Sequence, residues 1–157
     1  VAIKIIRRNA FPVEQHELVL KRFEREAKAL AKLNHPNIVG VIDYGEYEDA
    51  PYLVMPYYPG GTLKQHLGKP IPWQDAARLL LPIVHALQFA HEQGIIHRDV
   101  KPGNVMFTRK DQPVLTDFGL AKIVGGSTTN TASGFIVGTP MYMSPEQARG
   151  EGHRAGD

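Results

Sequence analysis

The chain has 157 residues, 43% of them apolar, and Lys plus Arg outnumber Asp plus Glu by only 18 to 16. That length supports a real core but is short for a two-lobed enzyme, and a net charge of +2 gives no basis for a nucleic-acid or membrane-surface partner. The absence of cysteine excludes disulfides and thiolate metal sites and fits a reducing compartment, and no apolar run reaches the roughly 20 residues a membrane span needs. In chain order, Val1 to Ile6 reads as a buried strand carrying one lysine, because β-branched residues dominate and the run is too short for a helix. From Pro12 to Leu33 the pattern is helical: Leu20, Phe23, Ala27 and Leu30 recur on one face, with Lys21, Glu24, Arg25 and Lys28 on others. Glu26 falls on the flank of that apolar stripe, where a carboxylate needs a cation because an unpaired buried charge is costly.

Asn34-His35-Pro36-Asn37 ends the helix, and Ile38 to Tyr44 and Pro51 to Met55 read as two strands joined by a turn over Gly45 to Asp49. Pro59-Gly60-Gly61 is the clearest linker, dividing a small sheet-rich part from a helical part near Pro56 to Gly61. Thr62 to Leu67 reads as a short helix and Trp73 to Gln93 as a long one, apolar on most sides and therefore central to a core, with Trp73 packing its start. Pro82 is expected to kink that helix, and Gly94 to stop it. Val105 to Phe107 and Val114 to Leu115 are short strands around a turn at Arg109 to Gln112. Gly125 to Gly134, rich in Ser, Thr, Gly and Asn, reads as a mobile loop.

The densest chemistry lies in His97-Arg98-Asp99-Val100-Lys101-Pro102-Gly103-Asn104, with Asp117-Phe118-Gly119 one hairpin later. Carboxylate and amide oxygens at Asp117 and Asn104 suit a hard divalent cation; Asp99 can accept a hydroxyl proton, and Lys101 can meet a phosphate. The remaining histidines, His66 among them, read most simply as surface or satisfied core residues.

With Val1-Ala2-Ile3-Lys4, Glu26, Gly138-Thr139-Pro140 and Ser144-Pro145-Glu146 added in order, the chain resembles from end to end the protein kinase family, specifically the eukaryotic-like (Hanks-type) Ser/Thr kinases of bacteria. The resemblance implies an α+β, bilobal kinase fold truncated at both ends: residues 1–56 as a partial N-lobe, 57–61 as the hinge and 62–157 as a partial C-lobe. It implies transfer of the ATP γ-phosphate to Ser or Thr hydroxyls of protein substrates, with Mg2+. Lys4 would contact the α- and β-phosphates and pair with Glu26, Asp99 would orient the hydroxyl, Lys101 would reach the γ-phosphate, and Asn104 and Asp117 would hold metal.

By the same resemblance Ala2 and Met106 sandwich the adenine, Met55 is the gatekeeper, and Pro56 and Tyr58 offer backbone contacts to the base. His97, Phe118, Leu30 and Val41 form an apolar spine. Arg98 senses a phosphate on the activation loop, for which Thr131 and Ser133, then Thr128 and Thr129, are the candidates, and Thr139 shapes the substrate hydroxyl's site. A non-catalytic pseudokinase-like module and a small-molecule phosphotransferase compete with this reading; intact Lys4, Glu26, Asp99, Asn104 and Asp117 disfavour the first, and the segment from Gly138 to Glu146 the second. The implied location is cytoplasmic, any membrane anchor lying outside this stretch. The expected parent is longer, with a Gly-rich loop ahead of Val1 and helices after Asp157, so the 157-residue chain alone is expected to be weak or inactive and to expose apolar surface.

Overall fold

The computed structural model describes residues 1–6, 14, 16–48, 50–109, 111–118 and 140–149. Strands β1 (Ala2–Ile5), β2 (Asp43–Tyr47) and β3 (Ala50–Met55) form an antiparallel sheet in the order β1-β3-β2. Helix α1 (His16–Ala31) lies against one face. It buries Val19, Phe23, Ala27 and Leu30, and packs Val19, Phe23 and Ala27 with Ile6 and Leu53 of the sheet side. The stripe therefore begins at Val19, and Leu20 is only half-buried. Glu17 with Lys21 and Glu24 with Lys28 pair one turn apart on the exposed side at 2.6 Å, as helical spacing allows.

Two expectations for this sheet need correction. The first strand is buried on one face only: Val1, Ile3 and Ile5 are exposed while Ala2 and Lys4 face inward, because α1 covers a single side and side chains alternate. Lys4 stands opposite the buried Leu53 of β3, which turns its ammonium stem towards the interior. The second correction is register. The strand expected from Ile38 instead begins at Asp43, because the preceding backbone is committed elsewhere. Val39 donates to the Leu115 carbonyl at 2.9 Å, and Leu115 donates to that of Asn37 at 2.8 Å. Gly45, expected in the turn, lies within β2 opposite Tyr52, whose hydroxyl would sit 2.8 Å from any Cβ there.

Helices α2 (Leu63–His66) and α3 (Trp73–Glu92), a 3-10 turn at Pro102–Asn104, the hairpin of β4 (Val105–Phe107) and β5 (Pro113–Leu115), a 3-10 turn at Pro140–Tyr142 and α4 (Pro145–Ala148) complete the described elements. Helix α3 runs unbroken through Pro82 and stops at Gly94, whose φ of +72° turns the Ile95 N–H back to the Ala90 carbonyl while its own N–H meets that of His91. It enters the larger core by one face only, not from most sides. Ile83, Ala86 and Ala90 are buried, but Leu80, Leu81 and Val84 are exposed and Trp73 is 75% exposed rather than packed, since the described elements cover one side of the helix.

The larger core joins Leu30 and Leu33 of the α1 end to Ile83 and Ala90 of α3 and to Leu115 and Phe118 beside β5, and Val41 packs against both clusters. The result is an α+β molecule with its antiparallel sheet at the N-terminal end and a mainly helical remainder. Among the described residues no helix is long and apolar enough to cross a membrane.

Candidate active site

The β4–β5 hairpin places two oxygen donors at one end. Val105 stands opposite Leu115, and the ladder extends one step further through Thr116, whose N–H and hydroxyl both donate to the Asn104 carbonyl at 2.8 and 3.2 Å. Asn104 thus enters the hairpin where Asp117 leaves it. The buried Asn104 amide nitrogen donates to the Asp99 backbone carbonyl at 2.7 Å and to Asp99 Oδ2 at 2.9 Å, so its Oδ1 is the atom left for a cation. Lys101 Nζ reaches the same Oδ2 at 2.6 Å. Among the described residues both donors fall on Oδ2, leaving Oδ1 of Asp99 for an incoming proton.

Beneath this cluster His97 is 1% exposed. Its Nε2–H donates to the Thr116 carbonyl at 2.8 Å and its Nδ1 accepts the Asp99 N–H at 3.2 Å, an arrangement that selects one neutral tautomer. Burial pushes its pKa down, opposed in part by the Thr116 carbonyl and the charges of Asp99 and Asp117. The ring lies 4.5 Å from that of Phe118, which shares a core with Leu30 and has Val41 nearby. Arg98 and Asp117 both take φ of +66°, a left-handed conformation costing a side-chain-bearing residue on the order of 1 kcal/mol.

Lys4 arrives from the first sheet and pairs with Asp117 Oδ1 at 2.7 Å across 113 residues. The pair with Glu26 expected from the resemblance is not formed. The left-handed backbone turns the Asp117 carboxylate towards β1, where it takes the ammonium, while Glu26 stays half-buried on α1 with a polar contact of its own.

The segment 57–61 is bonded to the hairpin. Gly60 donates to the Phe107 carbonyl at 3.1 Å and Phe107 to that of Gly61 at 3.0 Å, which brings Met106 opposite Thr62. Ala2 stands opposite Met55 on the sheet side. Pro56 and Tyr58 are half-buried, burial raising the Tyr58 phenol pKa, and neither the Pro56 carbonyl nor the Tyr58 N–H makes a backbone hydrogen bond among the described residues.

Two residues here escaped sequence reasoning. His66, read as a surface or satisfied core histidine, is exposed and donates through Nε2 to the Gly60 carbonyl at 2.9 Å, its ring edge-on to Phe107. Gln147 donates to the Arg98 carbonyl at 2.8 Å. The signal for Gln147 was present, since Ser144-Pro145-Glu146-Gln147 has the spacing of a helix capping box with proline at the first helical position. Thr128, Thr129, Thr131, Ser133, Gly138, Thr139 and Asp157, with the loop from Gly125 to Gly134, lie outside the described residues.

A family model for the protein kinase domain matches residues 1–156. The probable serine/threonine-protein kinase PknB of Lactococcus lactis is 43% identical over 96% of this chain and 24% of its own length. PknB of Mycobacterium leprae is 42% identical and PrkC of Bacillus subtilis 41%, each over 96% of this chain and 25% and 23% of their own lengths. The chain thus spans about a quarter of the length of the curated relatives it matches. The crystal structure of the Mycobacterium tuberculosis PknI kinase domain superposes with a TM-score of 0.73 at 28% identity, covering 98% of this chain and 56% of that one. Sequence motifs, bilobal architecture and these matches agree: the chain belongs to the protein kinase domain family.

Proposed function

We propose that this chain is the catalytic core of a protein kinase that transfers the ATP γ-phosphate to Ser and Thr hydroxyls of protein substrates. The observation that carries the reading is the convergence of Lys101 and Asn104 on one oxygen of Asp99. With Oδ2 occupied, Asp99 is held so that Oδ1 can accept the substrate hydroxyl's hydrogen bond and take its proton late. Lys101, on the same cluster, then meets the γ-phosphate as a point charge.

Asn104 Oδ1 and the Asp117 carboxylate form an all-oxygen pair that suits Mg2+, an ion that keeps waters and phosphate oxygens in its shell. When bound, that metal neutralises phosphate charge. Lys4, already at Asp117, is the cation for the α- and β-phosphates, with Glu26 as its alternative partner on α1. Ala2, Met55 and Met106 line the adenine's place, and the Pro56 carbonyl and Tyr58 N–H are its backbone partners. Residues 1–56 and 62–157 act as the two lobes about the hinge 57–61, and the enzyme works in the cytoplasm.

Arg98 serves as the receiver for a phosphate on Thr131, Ser133, Thr128 or Thr129. Its buried Nε has no hydrogen-bond partner among the described residues, which supports that role. Thr139 shapes the acceptor's site. The test is phosphate transfer to a generic basic protein by the full-length parent with Mg-ATP. Asp99→Asn is expected to cut turnover by about 10²–10⁴-fold and spare nucleotide binding; failure to bind Mg-ATP, together with no effect of Asp117→Ala, would overturn the assignment.

A further inference from the structure

We propose that Gln147 is a positioning residue for the catalytic loop, its side-chain amide clamping the peptide group that leads into Asp99 and so coupling α4 to phosphoryl transfer. The inference rests on the reading of Asp99 given above. The amide is used at both ends: Oε1 accepts the Ser144 N–H at 3.0 Å, and Nε2 donates to the Arg98 carbonyl at 2.8 Å, 49 residues away. The backbone N–H of Gln147 also reaches the Ser144 hydroxyl at 3.4 Å. Capping the helix therefore aims the NH2 group at the catalytic loop.

What that group holds matters more than the bond itself. The peptide between Arg98 and Asp99 has its carbonyl on Gln147 and its N–H on His97 Nδ1 at 3.2 Å. His97 is in turn locked by the Thr116 carbonyl at 2.8 Å. One peptide plane is thus gripped from both sides, at a residue whose φ of +66° is unfavourable for a side chain and persists only where neighbours over-determine it. Asp99 projects from that plane. A capping box accepts Glu as readily as Gln at this position, but Glu has no N–H to give; the donor is what the cap does not require.

Gln147→Glu separates the two roles in the full-length protein. The carboxylate still accepts the Ser144 N–H, while an oxygen now faces the Arg98 carbonyl. The expected result is a kcat lower by about tenfold, the scale of one lost hydrogen bond with its partner left unsatisfied, with the KM for ATP unchanged and a melting temperature between those of the wild type and Gln147→Ala. The Asp99 amide should also exchange its hydrogen faster. Gln147→Ala, which loses cap and clamp together, should lower both kcat and the melting temperature. A Gln147→Glu enzyme with the wild-type kcat, or one that melts as early as Gln147→Ala, overturns the proposal. Should the wild-type protein and Asp99→Asn prove equally inert, the kinase reading fails separately. Hydrogen exchange then decides the clamp, faster exchange at Asp99 in Gln147→Glu supporting it and unchanged exchange overturning it.

Discussion

In the proposed reaction Asp99 acts through the oxygen left over when Lys101 and Asn104 take the other. With Lys101 and Asn104 both on Oδ2, Asp99→Asn should cost on the order of 10²–10⁴ in kcat, the usual contribution of a placed general base, and steady-state kinetics at saturating Mg-ATP would read it. His97 gives the residue scale a pH signature. Burial holds its pKa below the ordinary 6.5, so the unfolded chain binds a proton that the folded one refuses. Its contribution to stability is complete above pH 6.5 and falls as pH drops from there through the lowered folded value, with a slope of up to about 1.4 kcal/mol per pH unit. Urea unfolding between pH 7.5 and 5 should show that loss, and His97→Phe, which keeps a ring against Phe118 but does not titrate, should flatten it; an unchanged slope would remove His97 as its source. Residue types were legible here because phosphate chemistry needs particular side chains. The partner of Lys4 was not, since a carboxylate's direction is set by a backbone angle that composition does not reveal.

At the scale of elements, the short strands of the hairpin and the ends of α3 were readable from β-branched runs, turn residues and Gly94, all local signals. The start of β2 was not. Ile38 and Val39 carry strand-like side chains, yet Leu115 of β5 bonds the backbone on either side of Ile38, at Asn37 and Val39, and a sequence does not say which partner a strand-former will take. The clasp between the hinge and β4 is of the same kind. A Cβ on Gly60 would lie 2.7 Å from both Cβ and O of Phe107, whereas one on Gly40 would meet nothing within 4 Å. Gly60→Ala should therefore push the hinge off β4, destabilise by about 1–3 kcal/mol and raise the KM for ATP severalfold, while Gly40→Ala changes neither. Denaturant unfolding and ATP titration of the two variants would check it. Equal behaviour would mean that the clasp does not shape the nucleotide's place.

Over the whole molecule, the sheet side and the helical side meet through the end of α1, the strap at Asn37 to Val39 and the Lys4–Asp117 pair. The helical side keeps an exposed apolar face on α3, carrying Leu80, Leu81 and Val84. In this 157-residue chain, Leu80→Lys with Leu81→Lys should reduce fluorescence of an apolar-surface dye and leave stability within about 0.5 kcal/mol, because both side chains are about half exposed. Ile83→Ala, one step away but 4% exposed, should cost about 2–4 kcal/mol. Similar losses for the two variants would mean that the face is covered after all.

By itself the sequence determined the family and the α+β class, because these depend on residue types at short, ordered spacings. Only the tertiary structure decided that Asp117 rather than Glu26 holds Lys4, that α3 is covered on one side, and that Gln147 reaches the peptide ahead of Asp99. Each of these depends on contacts across tens of residues, where direction and distance come from the packing of whole elements and no local pattern records them.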